Sequence, residues 1–356
     1  MTTSTLTPAT DVGTLPARRR HRRRRDAVAV AIAVIAVFAA FAVSLMVGSN
    51  AIAPGDVLAA LFGGAATPEA TVILTQRLPR TVLGLAVGLA LGAAGALMQG
   101  HTRNPRAEPG LFGVNSGAAL GVVVLTFAFD RSGPLEIVGA ALVGAAAATI
   151  VVVSLAWGGG PGGRTDASPL TLTVAGAALG SVLTALTTAV VLLDRQSLDV
   201  VRYWAVGSLS GRPTEAVPLV LALIAVGLVL ALVNAPGVTA LGLGDDVARS
   251  LGNNVAAVRI VGVVAITVLA AAATAVCGPI AFLGIAAPWA VRWVSGPRYG
   301  VLVPLAALAG GVILLLSDVL GRISTRDGEL PVGLVVAIVA APVMIAIVTR
   351  KKGATL

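Results

Sequence analysis

Residues 81–99 read TVLGLAVGLALGAAGALMQ, a run without one charged side chain. A helix rises about 1.5 Å per residue, so the run is about 28 Å long, close to the roughly 30 Å hydrocarbon thickness of a bilayer. A surface helix of a soluble protein would carry a polar face, and this one has none. Runs of similar character recur at 27–47, 111–129, 135–156, 171–193, 216–233, 260–276, 279–294, 301–320 and 331–348. Backbone amides cannot stay unpaired in hydrocarbon, so repeated runs of this length are helices. The expected fold is all-α and polytopic, one domain of about ten transmembrane helices. The eighth run is short and follows the tight Cys277-Gly278-Pro279 turn, which suits a half-helix or a re-entrant piece.

Composition agrees. The chain is 57% hydrophobic and 12% charged, outside the range of ordinary soluble domains. A single cysteine, Cys277, excludes an intrachain disulfide. The net charge of +9 includes seven arginines between Arg18 and Arg25, around His21 and just before the first apolar run. A basic flank beside a membrane span is an orientation signal and a contact for anionic lipid, and it argues against nucleic acid as the partner. Residues 1–26 are polar and are expected to be a disordered cytoplasmic arm; 27–349 form the membrane domain and 350–356 a cytoplasmic tail. The same start also suits a signal peptide with a small-residue site at Ser49-Asn50-Ala51-Ile52-Ala53. Residues 27–47 exceed the usual apolar core of such a peptide, which favours an uncleaved first helix.

Charge parity tests the topology. With the N-terminus in the cytoplasm, the inner gaps carry Arg103 and Arg106, then Arg164, then Arg249 and Arg259, then Arg292 and Arg298. Arg350, Lys351 and Lys352 follow in the tail, so the inner side is cationic, with both termini cytoplasmic. The outer gaps are mixed: Asp130 with Arg131, Asp194 with Arg195, and Arg326 with Asp327 and Glu329. Arg77, Arg80 and Arg322 break the pattern, being cationic at the outer side. Asp318 is the clearest charged residue within a span and lies four positions before Arg322, so the two can pair on one helix face.

Small residues recur at four-residue spacing: Gly84, Gly88 and Gly92; Ala140 and Gly144; Gly176 and Gly180. Such rows let helices approach closely in lipid, and they can also line a smooth path for a bulky solute. No phosphate loop, H-E-x-x-H, C-x-x-C or G-x-S-x-G is present, so neither a catalytic residue nor a resident metal is expected. A carrier driven by protons or sodium would place carboxylates at mid-membrane, and an intramembrane enzyme would need paired Asp, a Ser–His pair or a metal set. His21 and His101 both read as lying at membrane edges.

The gap from Asn234 to Arg259 is long and cytoplasmic by parity. Asp245 and Asp246 suit a helix start; Val247, Ala248 and Leu251 make one apolar face; Gly252 stops the helix. Such a helix can lie on the membrane surface or serve as a knob for a cytoplasmic partner.

This gap, with three further stretches, resembles the permease subunits of ABC importers for iron-siderophores, haem and vitamin B12. The first stretch is Arg77-Leu-Pro-Arg80, Gln99, and Arg103-Asn-Pro-Arg-Ala-Glu-Pro109 with Leu111-Phe-Gly113. The second is Arg202-Tyr-Trp-Ala-Val-Gly-Ser208. The third runs Gly278-Pro-Ile-Ala-Phe-Leu-Gly284, Ala287-Pro-Trp-Ala-Val-Arg292, Pro304, Asp318-Val-Leu-Gly-Arg322 and Glu329-Leu-Pro-Val-Gly333. The likeness covers roughly residues 27–350.

It implies a type II ABC importer permease fold in which helices 2–5 and 7–10 form an inverted repeat. It also implies a second permease subunit, identical or related, two cytoplasmic ATPase subunits that hold ATP and magnesium, and an extracytoplasmic substrate-binding protein. The setting would be a bacterial plasma membrane, and the cargo a ferric siderophore, with haem or cobalamin as alternatives. By the same likeness Arg77, Arg80 and Arg322 would receive acidic residues of the binding protein, although lipid phosphate or local pairing would also suit them. Leu243, Gly244, Asp245, Asp246, Ala248, Arg249, Leu251 and Gly252 would contact the ATPase. Asn115, Ser116, Ser168 and Thr171 are polar or small and are expected on the pathway. Two positions depart from the family's pattern. Trp289 stands where His is frequent and reads as packing or interfacial anchoring without a polar role. Arg106 stands where Leu is usual and adds inner-side charge.

Overall fold

A computed structural model describes residues 15–48, 51–63, 67–158, 169–325 and 328–350. In chain order the helices are α1 (Leu15–Met46), α2 (Pro54–Phe62), α3 (Pro68–Val72), α4 (Leu78–His101), α5 (Val114–Phe129), α6 (Pro134–Gly158) and α7 (Pro169–Leu193). There follow α8 (Arg195–Ala205), α9 (Val217–Leu241), α10 (Asp245–Ser250), α11 (Val255–Cys277), α12 (Leu283–Ser295), α13 (Tyr299–Ile323) and α14 (Val332–Arg350). Among the described residues seven helical stretches are long and apolar enough to cross a membrane. They lie on α1, α4, α6, α7, α9, α11 and α13. The other expected runs fall on shorter helices, α5, α12 and α14. At 13 residues α12 is about 20 Å long, too short to span alone. The half-helix expectation therefore matches.

α4 is the centre of the bundle. It packs against α13, α11, α12 and α9, and 83% of its most apolar window is buried. The glycine row explains how: a Cβ on Gly88 would stand 2.6 Å from Gly310 O of α13, and one on Gly95 would stand 1.9 Å from Gly284 O of α12. Backbones this close need glycine on both sides, and close approach is what holds helices together in lipid. Gly144 of α6 meets α5 in the same manner, at Gly117 O.

Two boundaries differ from expectation. α1 starts at Leu15, so the stretch 15–26, expected in a disordered arm, is helical. α9 runs through Pro236 to Leu241, beyond the expected run of 216–233. Proline costs a helix one hydrogen bond, but Gly237 lets α9 lie directly against Val258 of α11, and that packing carries the helix on. His101 is accordingly buried: its Nε2 lies 3.0 Å from Asn234 Nδ2 on the extended α9.

The bundle has two polar ends. One, the cluster end, gathers the last turn of α1, the first turn of α4 and the last turn of α13. The other, the α10 end, gathers the α9–α10–α11 connection, the segment after α4 and the α12–α13 turn.

Candidate functional site

At the cluster end Asp318 is 1% exposed and binds two guanidinium groups. Arg322, one helical turn on, donates at 2.7 Å, and Arg80, from α4, donates at 2.8 Å. Arg80 also reaches Glu329 at 2.6 Å. The pairing of Asp318 with Arg322 follows from the sequence; the arrival of Arg80 does not, because 238 positions separate it from Asp318.

Arg77 and Arg322 face inward. A helix leaves its last carbonyls without amide partners. At the end of α1 those carbonyls are met by Arg77, which donates to Leu45 O at 2.8 Å and Met46 O at 3.0 Å. Arg322 donates to Ser44 O at 2.9 Å and Val47 O at 3.1 Å. Two cations at a helix C-terminus also oppose its dipole favourably. Both arginines are buried, and Arg80 keeps 14% of its side chain exposed.

At the α10 end, Gly244 is the N-cap of α10, and Asp245 and Asp246 lie in its first turn. Neither aspartate caps it; Asp245 instead accepts from Arg103 and from Arg259 of α11, each at 2.5 Å. Asp246 pairs with Arg249 at 2.9 Å on the surface. The helix ends in a Schellman pattern: Asn253 N–H donates to Ala248 O and Gly252 N–H to Arg249 O, with Gly252 at φ +81°. Ala248 turns inward onto Leu241 and Val255. Leu243, Val247 and Leu251 are 64%, 44% and 61% exposed, so the apolar face expected of Val247 and Leu251 points away from the bundle.

Between the two ends runs α7, with 11% of its apolar window buried. Its outward face carries Ser181, Thr184 and Thr188, which with Ser116, Gly180 and the packed Gly176 line a groove of about 790 Å³. The hydroxyls of Ser181, Thr184 and Thr188 donate to carbonyls one turn back, so the face is polar without unmet donors. Ser116 Oγ lies 3.3 Å from Thr184 Oγ1. Thr171 is exposed on the same helix. Asn115 is turned away and accepts from Thr274 of α11 at 3.1 Å. Ser168 lies outside the described residues, as do Arg164, Arg326, Asp327 and the tail from 351. Ser181, Thr184 and Thr188 were not singled out from the sequence, although their spacing of three and four places them on one face.

The remaining motif pieces brace the bundle. Trp204 is buried against Ala275, Ser208 N–H donates to Cys277 O at 2.8 Å and Gly333 N–H to Gly207 O at 2.9 Å. Trp289, expected to have no polar role, donates its indole N–H to Pro105 O at 2.9 Å, because α12 packs beside the segment after α4. Glu108, in that segment, accepts from Phe282 N–H at 3.3 Å, and burial pushes its carboxyl above the ordinary value.

A sequence model of the FecCD transport family matches residues 35–350. The chain is 40% identical over 317 residues to the ferric enterobactin transport system permease protein of Escherichia coli (strain K12), covering 89% of this chain and 93% of that one. It is 39% identical over 300 residues to the Fe(3+)-citrate import system permease protein of Bacillus subtilis (strain 168), covering 84% and 88%. Among solved structures, one described as an inward-facing conformation of a metal-chelate type ABC transporter superposes with a TM-score of 0.79 at 23% identity. It covers 91% of this chain and 99% of that one, and shares the fold.

Proposed function

Because this chain belongs to the FecCD transport family, we propose that it is the membrane permease of an ATP-driven importer for a ferric siderophore. It is a multi-pass protein of the bacterial inner membrane, and we place both termini in the cytoplasm on the charge parity of its gaps. ATP and magnesium belong to a separate ATPase. The observation that carries this reading is α10, a short helix tied to the bundle by Asp245 and presenting Leu243, Val247 and Leu251 outward. Exposed apolar side chains on a braced helix suit a protein partner better than water. Movement of the ATPase pair would be passed through α10 to α9 and α11, and a change of access follows only if the two states bind nucleotide differently.

The outward face of α7, with Ser116 and Thr171, is proposed to meet a second permease subunit and to line the path between the two. Helices 2–5 and 7–10 of the ten expected spans are proposed as an inverted repeat. The cluster end is proposed to receive the binding protein through Arg80, with Arg77 and Arg322 fixing the end of α1 beneath it. Charge contacts at the rim of a docking face set orientation and encounter rate more than affinity.

Uptake of radiolabelled ferric siderophore, haem and cobalamin in a strain lacking the gene tests the assignment. Restoring the gene should restore ferric siderophore uptake, and only while the ATPase is present. Accumulation of solute by the purified chain alone, in vesicles without any ATPase, would overturn it.

A further inference from the structure

We propose that a cavity at the α10 end binds a phosphate-type oxyanion, supplied by an anionic phospholipid headgroup or as inorganic phosphate. The cavity measures about 280 Å³ and is lined by Gln99, Arg103, Leu243, Arg292, Arg298 and Tyr299. Three guanidinium groups therefore face one small space. Arg103 has Asp245 as its carboxylate partner and Arg298 has Asp26. Arg292 has no carboxylate partner among the described residues; it donates to the side-chain oxygen of Gln99. One positive charge is left unmatched.

Two buried donors are left over as well. Gln99 is 1% exposed and its amide nitrogen has no partner, and Nε of Arg292 is likewise buried and unpaired. Buried polar groups in folded proteins are nearly always satisfied, so a pair of idle donors beside an unmatched cation needs an explanation. A neutral acceptor would answer the donors and leave the charge. A tetrahedral oxyanion answers both, since a guanidinium fork and an amide can bind separate oxygens of one phosphate.

The backbone adds to this. Tyr299 is the first residue of the 25-residue helix α13, so the positive end of that helix lies beside the same cavity, with the Tyr299 N–H itself donating to Thr239 Oγ1 at 3.0 Å. The basic arm lies alongside: Arg25 donates to Val294 O at 2.5 Å, and Arg22 to Arg25 are exposed. That concentrates anions at the cavity mouth and suits a lipid headgroup. The cavity touches Leu243, the turn into α10, so its occupant would join that turn to α12. The binding is measured on the permease alone and does not depend on the transport assignment.

The test uses the full-length chain, purified in neutral detergent and stripped of lipid. Its melting temperature is followed as phosphate is titrated, against chloride at matched ionic strength. A parallel arm compares dihexanoyl phosphatidylglycerol with dihexanoyl phosphatidylcholine. A saturable rise is expected, because a ligand that binds only the folded state stabilises it. A rise with phosphate assigns free anion as a source, and a rise confined to phosphatidylglycerol assigns lipid. Gln99→Glu supplies the missing carboxylate to Arg292, keeps the pairing that holds α12 to α4, and should raise the half-saturating concentration about tenfold or more. Arg292→Gln should do the same, and Arg292→Lys should retain part of the response. A response that never saturates in the wild type, or wild-type half-saturation in Gln99→Glu, would overturn the proposal.

Discussion

Carboxylates meet guanidinium groups at both ends of this bundle, and their surroundings differ. At the cluster end Asp318 and Arg322 have 1% and 3% of their side chains exposed, and both sit among the ends of three helices. At the α10 end Asp245 keeps 23% exposure and Arg103 43%. Removing charges from water is costly, so a buried pair is held only where its hydrogen bonds are nearly complete, and the loss of one partner leaves the other stranded. An exposed pair gains little and loses little. The first arrangement suits a fixed joint, and the second suits a contact that shifts.

The largest effect expected of this contrast is at Asp318. Asp318→Ala leaves buried Arg322, and half-buried Arg80 beside it, without their shared carboxylate, and the chain should lose about 3–5 kcal/mol of stability. Thermal unfolding in detergent reads this directly. A loss below about 1 kcal/mol would mean that the cluster is solvated like the other end, and the contrast would fail.

Asp245 should behave oppositely. Asp245→Asn removes the charge from two ion pairs but keeps an oxygen acceptor for Arg103 (43% exposed) and Arg259 (13% exposed), so the loss should be about 1–2 kcal/mol in total, well below that at Asp318. ATP-driven uptake should fall well beyond what that loss explains, because α10 would be held to Arg103 and Arg259 without its charge. Uptake and unfolding measured on the same variant separate the two. Full uptake in Asp245→Asn would remove the coupling role from this pair.

Local features were legible in advance. The apolar runs placed the longer helices, though not the short α2, α3 and α8, and the four-residue spacing of Asp318 and Arg322 predicted their pairing. The shortness of 279–294 predicted a helix that does not span. Features that depend on distant segments were not legible. Nothing near Arg80 in the chain points to Asp318, and the inward turn of Arg77 depends on where α1 ends. The passage of α9 through Pro236 depends on α11 lying beside it. The hydroxyl face of α7 reads from its spacing as an ordinary packing face, and only the bundle's arrangement leaves it outward.

Glu108 gives the sharpest and smallest form of the comparison. It is a half-buried carboxylate near the α10 end, and its described partner is the Phe282 amide, 3.3 Å away, where Asp318 has two cations. Burial raises its folded-state pKa above the usual 4.5, and the Phe282 hydrogen bond offsets only part of that. The folded chain therefore binds this proton more tightly than the unfolded chain. Its favourable contribution is complete below the ordinary glutamate value and is lost as pH rises through the raised one. Glu108→Gln removes the titration while keeping an acceptor for the amide. The variant should match the wild type near pH 4.5 and melt slightly higher at pH 8, with a flatter dependence between. A variant that melts lower at pH 8 would show that the ionised carboxylate is stabilised in place by a cation, and Glu108 and Asp318 would then be alike.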